Sequence, residues 1–140
     1  MTTRTKKVEK PEIIYAVGRR KESVARVRLY KGKGETLVNN LPIGEYFPGE
    51  VFQVVYNQPF NLTDTIGKYY ATIRVSGGGK SGQLQAAVHG LSRALAEADR
   101  EKFRSALKKQ KLLTRDSRTR QRRNVGMGGK ARRKKQSPKR

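Results

Sequence analysis

Apolar and polar positions alternate along the first part of the chain. Starting at Ile13, IIYAVGRR leads through Lys21 and Glu22 into SVARVRLY. In the second run Ser23, Ala25, Val27 and Leu29 share one face and Val24, Arg26, Arg28 and Tyr30 the other, the two-residue period of a half-buried strand. Two arginines therefore lie on one exposed face. KGKGE is a glycine turn and TLVNN a short strand ending in turn-tolerant asparagines, so the pattern predicts an antiparallel meander. LPIGEYFPG, punctuated by Pro42, Gly44, Pro48 and Gly49, reads as a helical turn or loop. In EVFQVVYNQ, Val51, Val54 and Val55 fall at i, i+3 and i+4, which favours a short helix, while the β-branched content leaves a strand open.

Further along, Tyr69, Ala71, Ile73 and Val75 alternate with Tyr70, Thr72, Arg74 and Ser76, predicting a strand with one apolar face. After a glycine-rich loop, Leu84, Ala87, Val88, Leu91, Leu95 and Ala98 form one stripe of a helix of about fifteen residues. Asp99 is placed to cap a following helix, whose apolar side is Phe103, Ala106 and Leu107 and whose lysine-rich end suits the macrodipole. Tyr15 and Tyr69 fall on apolar faces and are expected in the core.

Charge changes this picture. The 140 residues include 33 Lys or Arg and 11 Asp or Glu, a formal charge of +22. Residues 114–140 hold 12 of those cations against Asp116 alone, so half of the excess sits in a fifth of the chain. This stretch has almost no apolar side chains with which to offset the entropy of ordering itself. The organisation expected is a flexible basic N-terminus (1–12), a globular domain (13–113) and an extended basic tail (114–140). Like charges at this density are relieved by a polyanion, which makes nucleic acid the expected partner. No apolar run approaches a membrane span and the N-terminus lacks a secretory core, so a soluble intracellular chain is expected. With no Cys and a single His, disulfides, thiolate zinc sites, Cys nucleophiles and His-pair metal sites are excluded, and neither cofactor nor metal is expected.

Strand, glycine loop and helix start form the arrangement that cradles phosphate. Gly77, Gly79 and Gly82 satisfy G-x-G-x-x-G, but no second strand follows the helix as a dinucleotide fold requires. Gly79-Lys80-Ser81 supplies the end of a P-loop, but Arg74 stands where its first glycine belongs. Two readings remain: the loop offers backbone N–H groups and Lys80 to a phosphate, or its glycines turn the chain tightly onto the sheet. His89 has no His or Cys to partner it, and Glu97, Asp99 and Glu101 at a helix junction are explained by capping and ion pairing.

GGGKSGQLQAAVHGLSRAL, with glycines at 77 to 79, Gly82-Gln83, Ala86, Gly90 and Arg93-Ala94-Leu95, resembles the signature of the small-subunit ribosomal protein S-nine family. GRRKESVARVRLYKGKG from Gly18 resembles the family's opening hairpin. LTRDSR resembles the start of its tail, and KARR at Lys130 with the terminal Lys139-Arg140 its end. The likeness covers the chain after residue 12. It implies a single small α+β domain, a sheet of about four strands with helices on one face, and a left-handed β-α-β crossover against the usual right-handed rule.

The resemblance also implies a non-enzymatic structural constituent of the head of the small ribosomal subunit, in cytoplasmic or organellar ribosomes. Its partners would be small-subunit ribosomal RNA, neighbouring head proteins and the peptidyl-site transfer RNA. Carried over by position, Lys139 and Arg140 contact transfer RNA, while Arg115, Arg118, Arg120, Arg122, Arg123, Lys130, Arg132 and Arg133 hold ribosomal RNA. On the domain, Arg19, Arg20, Lys21, Arg26, Arg28, Gly77, Gly78, Gly79 and Lys80 are the ribosomal RNA candidates. Two departures stand out. Gln136, Ser137, Pro138, Lys139 and Arg140 lack the aromatic common before the terminal pair, and Gln121-Arg122-Arg123-Asn124 replaces a Glu-Arg-Lys-Lys stretch. Other classes to weigh are a small phosphotransferase, against which the P-loop spacing argues, and a free DNA-binding architectural protein.

Overall fold

The computed structural model describes residues 12–129 and residue 134. β1 (Ile13–Arg20) and β2 (Ser23–Lys31) form a hairpin whose first loop residue, Lys21, takes a left-handed φ of 52°. β3 (Leu37–Val38) and β4 (Leu41–Pro42) are joined by Asn39 and Asn40, both left-handed, as a tight two-residue hairpin turn requires. Helices α1 (Ile43–Tyr46) and α2 (Glu50–Leu62) follow, then β5 (Tyr69–Ser76), α3 (Lys80–Ala98) and α4 (Arg100–Lys109).

The sheet has five strands in the order β1-β2-β5-β3-β4. It therefore exceeds the expected four strands by the two-residue β4, and it is not a simple meander. β5 pairs antiparallel with β2 along eight residues, Val24 facing Ser76 through Lys31 facing Tyr69, and separates β2 from β3. A two-residue strand offers β2 little to pair with, whereas β5 matches its length and its apolar face. β3 runs parallel to β5, and the side-chain amide of Asn39 extends that ladder by accepting from Val75 N–H (3.0 Å) and donating to the Val75 carbonyl (3.1 Å).

One face of the sheet is covered by α3, with α2 and α4 packed on α3. Ala25, Val27, Leu29, Ala71 and Ile73 meet Leu84, Ala87, Leu91 and Leu95 in the core, and Leu107 of α4 is fully buried behind them. α3 approaches β1 backbone to backbone. A Cβ added at Gly18 would overlap the Ala86 carbonyl, and one at Gly90 would stand 2.7 Å from Val27 Cγ2. Asp99 caps α4 as expected, its carboxylate accepting from Lys102 N–H at 3.2 Å.

Two expectations are corrected. α2 is a helix, but Val51 and Val54 are 76% and 70% exposed, and its inward side is Tyr56, Pro59 and Phe60 with Phe52 and Val55. The larger side chains remove more apolar area from water and so decide which side turns inward. Tyr15 is 62% exposed rather than buried; Tyr69 does pack on the core, edge-on to Phe103. Gly18 must face α3, which fixes the parity of β1: Ile14, Ala16 and Gly18 lie opposite the inward Leu29, Val27 and Ala25, and Tyr15 is left outside.

Candidate nucleic-acid interface

The sheet face away from α3 is open and basic. Its outward positions include Ile13, Tyr15, Val17 and Arg19 on β1, Val24, Arg26, Arg28 and Tyr30 on β2, and Tyr70, Thr72, Arg74 and Ser76 on β5. No carboxylate stands among them. Arg26 lies directly opposite Arg74 and Arg28 opposite Tyr15, with the Arg28 guanidinium carbon 5.9 Å from the Tyr15 ring centre. Tyr30 and Tyr70 stack at 5.1 Å. Like charges directly opposite across two strands are destabilising in the free protein, and phosphate would relieve them. Alternation had already put Arg74 on the outward side of its strand, but its place beside Arg26 depends on the β2–β5 pairing.

The glycine loop is moulded to the β1–β2 turn. Gly77 and Gly78 are left-handed, and a Cβ at Gly77 would stand 2.5 Å from the Glu22 carbonyl, while Ser23 Oγ donates to the Gly77 carbonyl at 3.0 Å. This geometry accounts for two of the three glycines as a tight turn. Gly79, at the start of α3, has open space around it and no side-chain cap. Lys80 Nζ sits 3.3 Å from the centre of the Tyr46 ring and donates to the Tyr46 carbonyl at 3.3 Å.

The root of the tail is fastened to the domain. Leu112 and Leu113 pack on the core. Arg20 points inward: its side chain is 11% exposed, donating to Gln85 Oε1 (2.7 Å) and to the Arg118 carbonyl (2.6 Å), and it pairs with Asp116 at 3.4 Å. Asp116 also accepts the Arg118 guanidinium at 2.7 Å. Hydrogen bonds from the Arg118 side chain and backbone, with its charge and that of Arg20, hold the Asp116 carboxyl well below the usual carboxylate range. Beyond this root Arg120, Arg122 and Arg123 are exposed, as are Arg115 and, at the tip of the first hairpin, Lys21. Lys130, Arg132, Arg133, Lys139 and Arg140 lie outside the described residues.

His89 joins the same region, its Nδ1 accepting from Arg19 N–H at 3.3 Å, which puts the proton of the neutral ring on Nε2. Burial lowers its pKa from 6.5; a backbone hydrogen bond with Leu113 opposes this, and Arg93 and Arg115 add repulsion. The unfolded chain therefore binds the proton more readily. The contribution of His89 to stability is present above 6.5 and declines as pH falls from there toward the lower folded value. Denaturation midpoints measured at pH 7.5 and 5.5 should show this loss in the native chain and its absence in His89→Gln; equal losses in both would refute the assignment.

Among the described residues no His, Cys, Asp or Glu cluster could hold a metal ion, and no helix is long and apolar enough to cross a membrane. Comparison with known proteins brings these features together. Residues 18–140 match the model of a family described as ribosomal protein S9/S16. The chain is 50% identical over 115 residues to the small ribosomal subunit protein uS9 of Maridesulfovibrio salexigens, covering 82% of this chain and 88% of that protein. A ribosomal protein family agrees with the expectation of a chain that is not an enzyme. With its open arginine face, anchored tail root and a match running to the last residue, the chain belongs to the ribosomal protein S9/S16 family.

Proposed function

We propose that the chain is an RNA-binding structural constituent of the small ribosomal subunit, seated in its head, in a cytoplasmic or organellar ribosome. The observation that carries this reading is the cross-strand pairing of Arg26 with Arg74, beside Arg28, on an uncovered sheet face. Ribosomal RNA phosphates balance that charge, and arginine forks bind them bidentately. Arg19 extends the face and Lys21 marks the hairpin tip. Gly77, Gly78, Gly79 and Lys80 present the start of α3. The left-handed crossover implied by the resemblance is assigned to the β3–α2–β5 unit.

Arg115, Arg118, Arg120, Arg122 and Arg123, and farther on Lys130, Arg132 and Arg133, follow ribosomal RNA along the tail. Arg20 sets the tail's starting direction. Lys139 and Arg140 reach the peptidyl-site transfer RNA, and neighbouring head proteins complete the surroundings. The name of the relative, a small ribosomal subunit protein, supports the choice of subunit.

Removal of residues 138–140 is expected to leave subunit assembly intact and to weaken transfer RNA binding in the peptidyl site about 2- to 30-fold, taking ~0.2–1 kcal/mol for each of two exposed ion pairs. Filter binding to reconstituted subunits measures this, and unchanged affinity would sink the transfer RNA contact. Co-sedimentation of the full chain with small subunits in low magnesium tests the wider reading; free migration would overturn it.

A further inference from the structure

A second concavity lies around the outer edge of β1, on the helical side of the domain. Tyr15, Arg93, Glu97, Arg100, Arg104 and Leu113 line it, enclosing about 510 Å³. Arg93, Glu97, Arg100 and Arg104 follow one another at intervals of four, three and four residues across the α3–α4 junction, giving three exposed cations and a single carboxylate. Among the described residues none of the three guanidiniums is ion-paired; Arg93 donates to the Val17 carbonyl at 2.6 Å, which fixes it at the strand edge. Tyr15 and Arg93 also border the hollow of about 450 Å³ on the open sheet face, with Arg26, Arg28 and Arg74. The two basic surfaces share a wall and form one track that turns around β1, with the exposed Tyr15 ring at the turn.

We infer that this track binds a single strand of RNA, its backbone bending around the β1 edge from Arg26 and Arg74 to Arg100 and Arg104, with one unpaired base stacked on Tyr15. The inference deepens the ribosomal RNA reading and rests on it. Charge complementarity selects a polyanion, and every cation in the track is an arginine, the side chain that both forks onto phosphate and stacks on bases. The exposed ring beside the Arg28 guanidinium is a stacking platform of the kind single strands use. An extended peptide added to the edge is disfavoured, because Val17 C=O is taken by Arg93 and Arg19 N–H by His89.

The test is filter binding of the full chain to protein-free small-subunit ribosomal RNA across a salt series. Arg100→Gln/Arg104→Gln should lower the slope of log affinity against log salt by ~0.7–0.9 for each phosphate no longer neutralised. Arg100→Lys/Arg104→Lys keeps the charge and should retain the slope. Tyr15→Ala should weaken binding ~5- to 150-fold at unchanged slope, and Tyr15→Phe should restore it. Arg120→Gln/Arg122→Gln/Arg123→Gln in the tail serves as comparison. A slope lowered by the tail variant and untouched by the groove variants overturns the track and leaves the RNA reading standing, including the case in which Arg100→Gln/Arg104→Gln instead costs binding to an acidic neighbouring protein. If neither set changes the slope, the RNA reading itself fails and the track with it.

Discussion

A chain cut after Arg118 is expected to fold like the full protein and to bind ribosomal RNA far more weakly. Residues 119–140 carry ten Lys or Arg and no acid. If each meets a phosphate, their removal takes on the order of 7–9 from the salt slope, the scale on which affinity changes by ~10³–10⁵ over a fourfold change in salt. The position of the cut matters. Residues 112–118 hold contacts the domain uses: Leu112 and Leu113 on the core, Asp116 and the Arg118 carbonyl on Arg20. A cut after Leu113 would take Asp116 and the Arg118 carbonyl away from the Arg20 guanidinium, and such a domain should be less stable than one cut after Arg118. Circular dichroism and a salt series of filter-binding isotherms decide the matter. An unfolded product of the later cut, or an unchanged slope, would refute the division of labour between domain and tail.

Gly18→Ala should be among the most damaging single substitutions in the domain. The added Cβ meets the Ala86 carbonyl and the Gly90 amide, both backbone of α3, so no side chain can rotate aside and the helix itself must withdraw from β1. Overpacking of this kind costs ~1–3 kcal/mol, a large share of the ~5–15 kcal/mol that stabilises a typical domain. Gly18→Val adds two more carbons to the same overlap and should leave little folded protein. Gly79→Ala is the milder comparison: its Cβ meets nothing within 4 Å and its φ of −100° suits any residue, so only the exchange of glycine for alanine at the N-cap of α3 remains, at about 1 kcal/mol or less. Denaturant midpoints rank the variants. A Gly18→Ala protein as stable as Gly79→Ala would mean that α3 does not rest on β1 as described.

Most of the secondary structure is legible in the chain without its fold. The alternation in SVARVRLY and YYATIRVS is unambiguous because each has polar or charged residues on the outward side of the pleat, and α3 shows a long apolar stripe. IIYAVGRR is different: five apolar residues in succession, Ile13 to Val17, carry no parity, so the outward position of Tyr15 depends on the packing of Gly18 on α3. α2 is apolar on more than one side, and its inward face is settled by which residues have room in the core. Arg20 looks like any other surface arginine until the chain folds Asp116 and Arg118 back upon it.

By itself the sequence determined what kind of molecule this is. Lacking cysteines and a second histidine, it has no thiolate or paired-imidazole chemistry, and half of its excess charge is concentrated in residues 114–140, which hold almost no apolar side chains. These are properties of residue types and of their spacing along the chain. Only the tertiary structure decided which charges share a surface. Arg26 and Arg74 are 48 positions apart and meet because β5 inserts between β2 and β3; Tyr15 joins Arg93, Arg100 and Arg104 because α3 and α4 pass the free edge of β1. Periodicity specifies the face of an element on which a side chain stands. The neighbour of that face is set by long-range pairing and packing, which depend on matched strand lengths and on two glycines small enough to let a helix touch a strand.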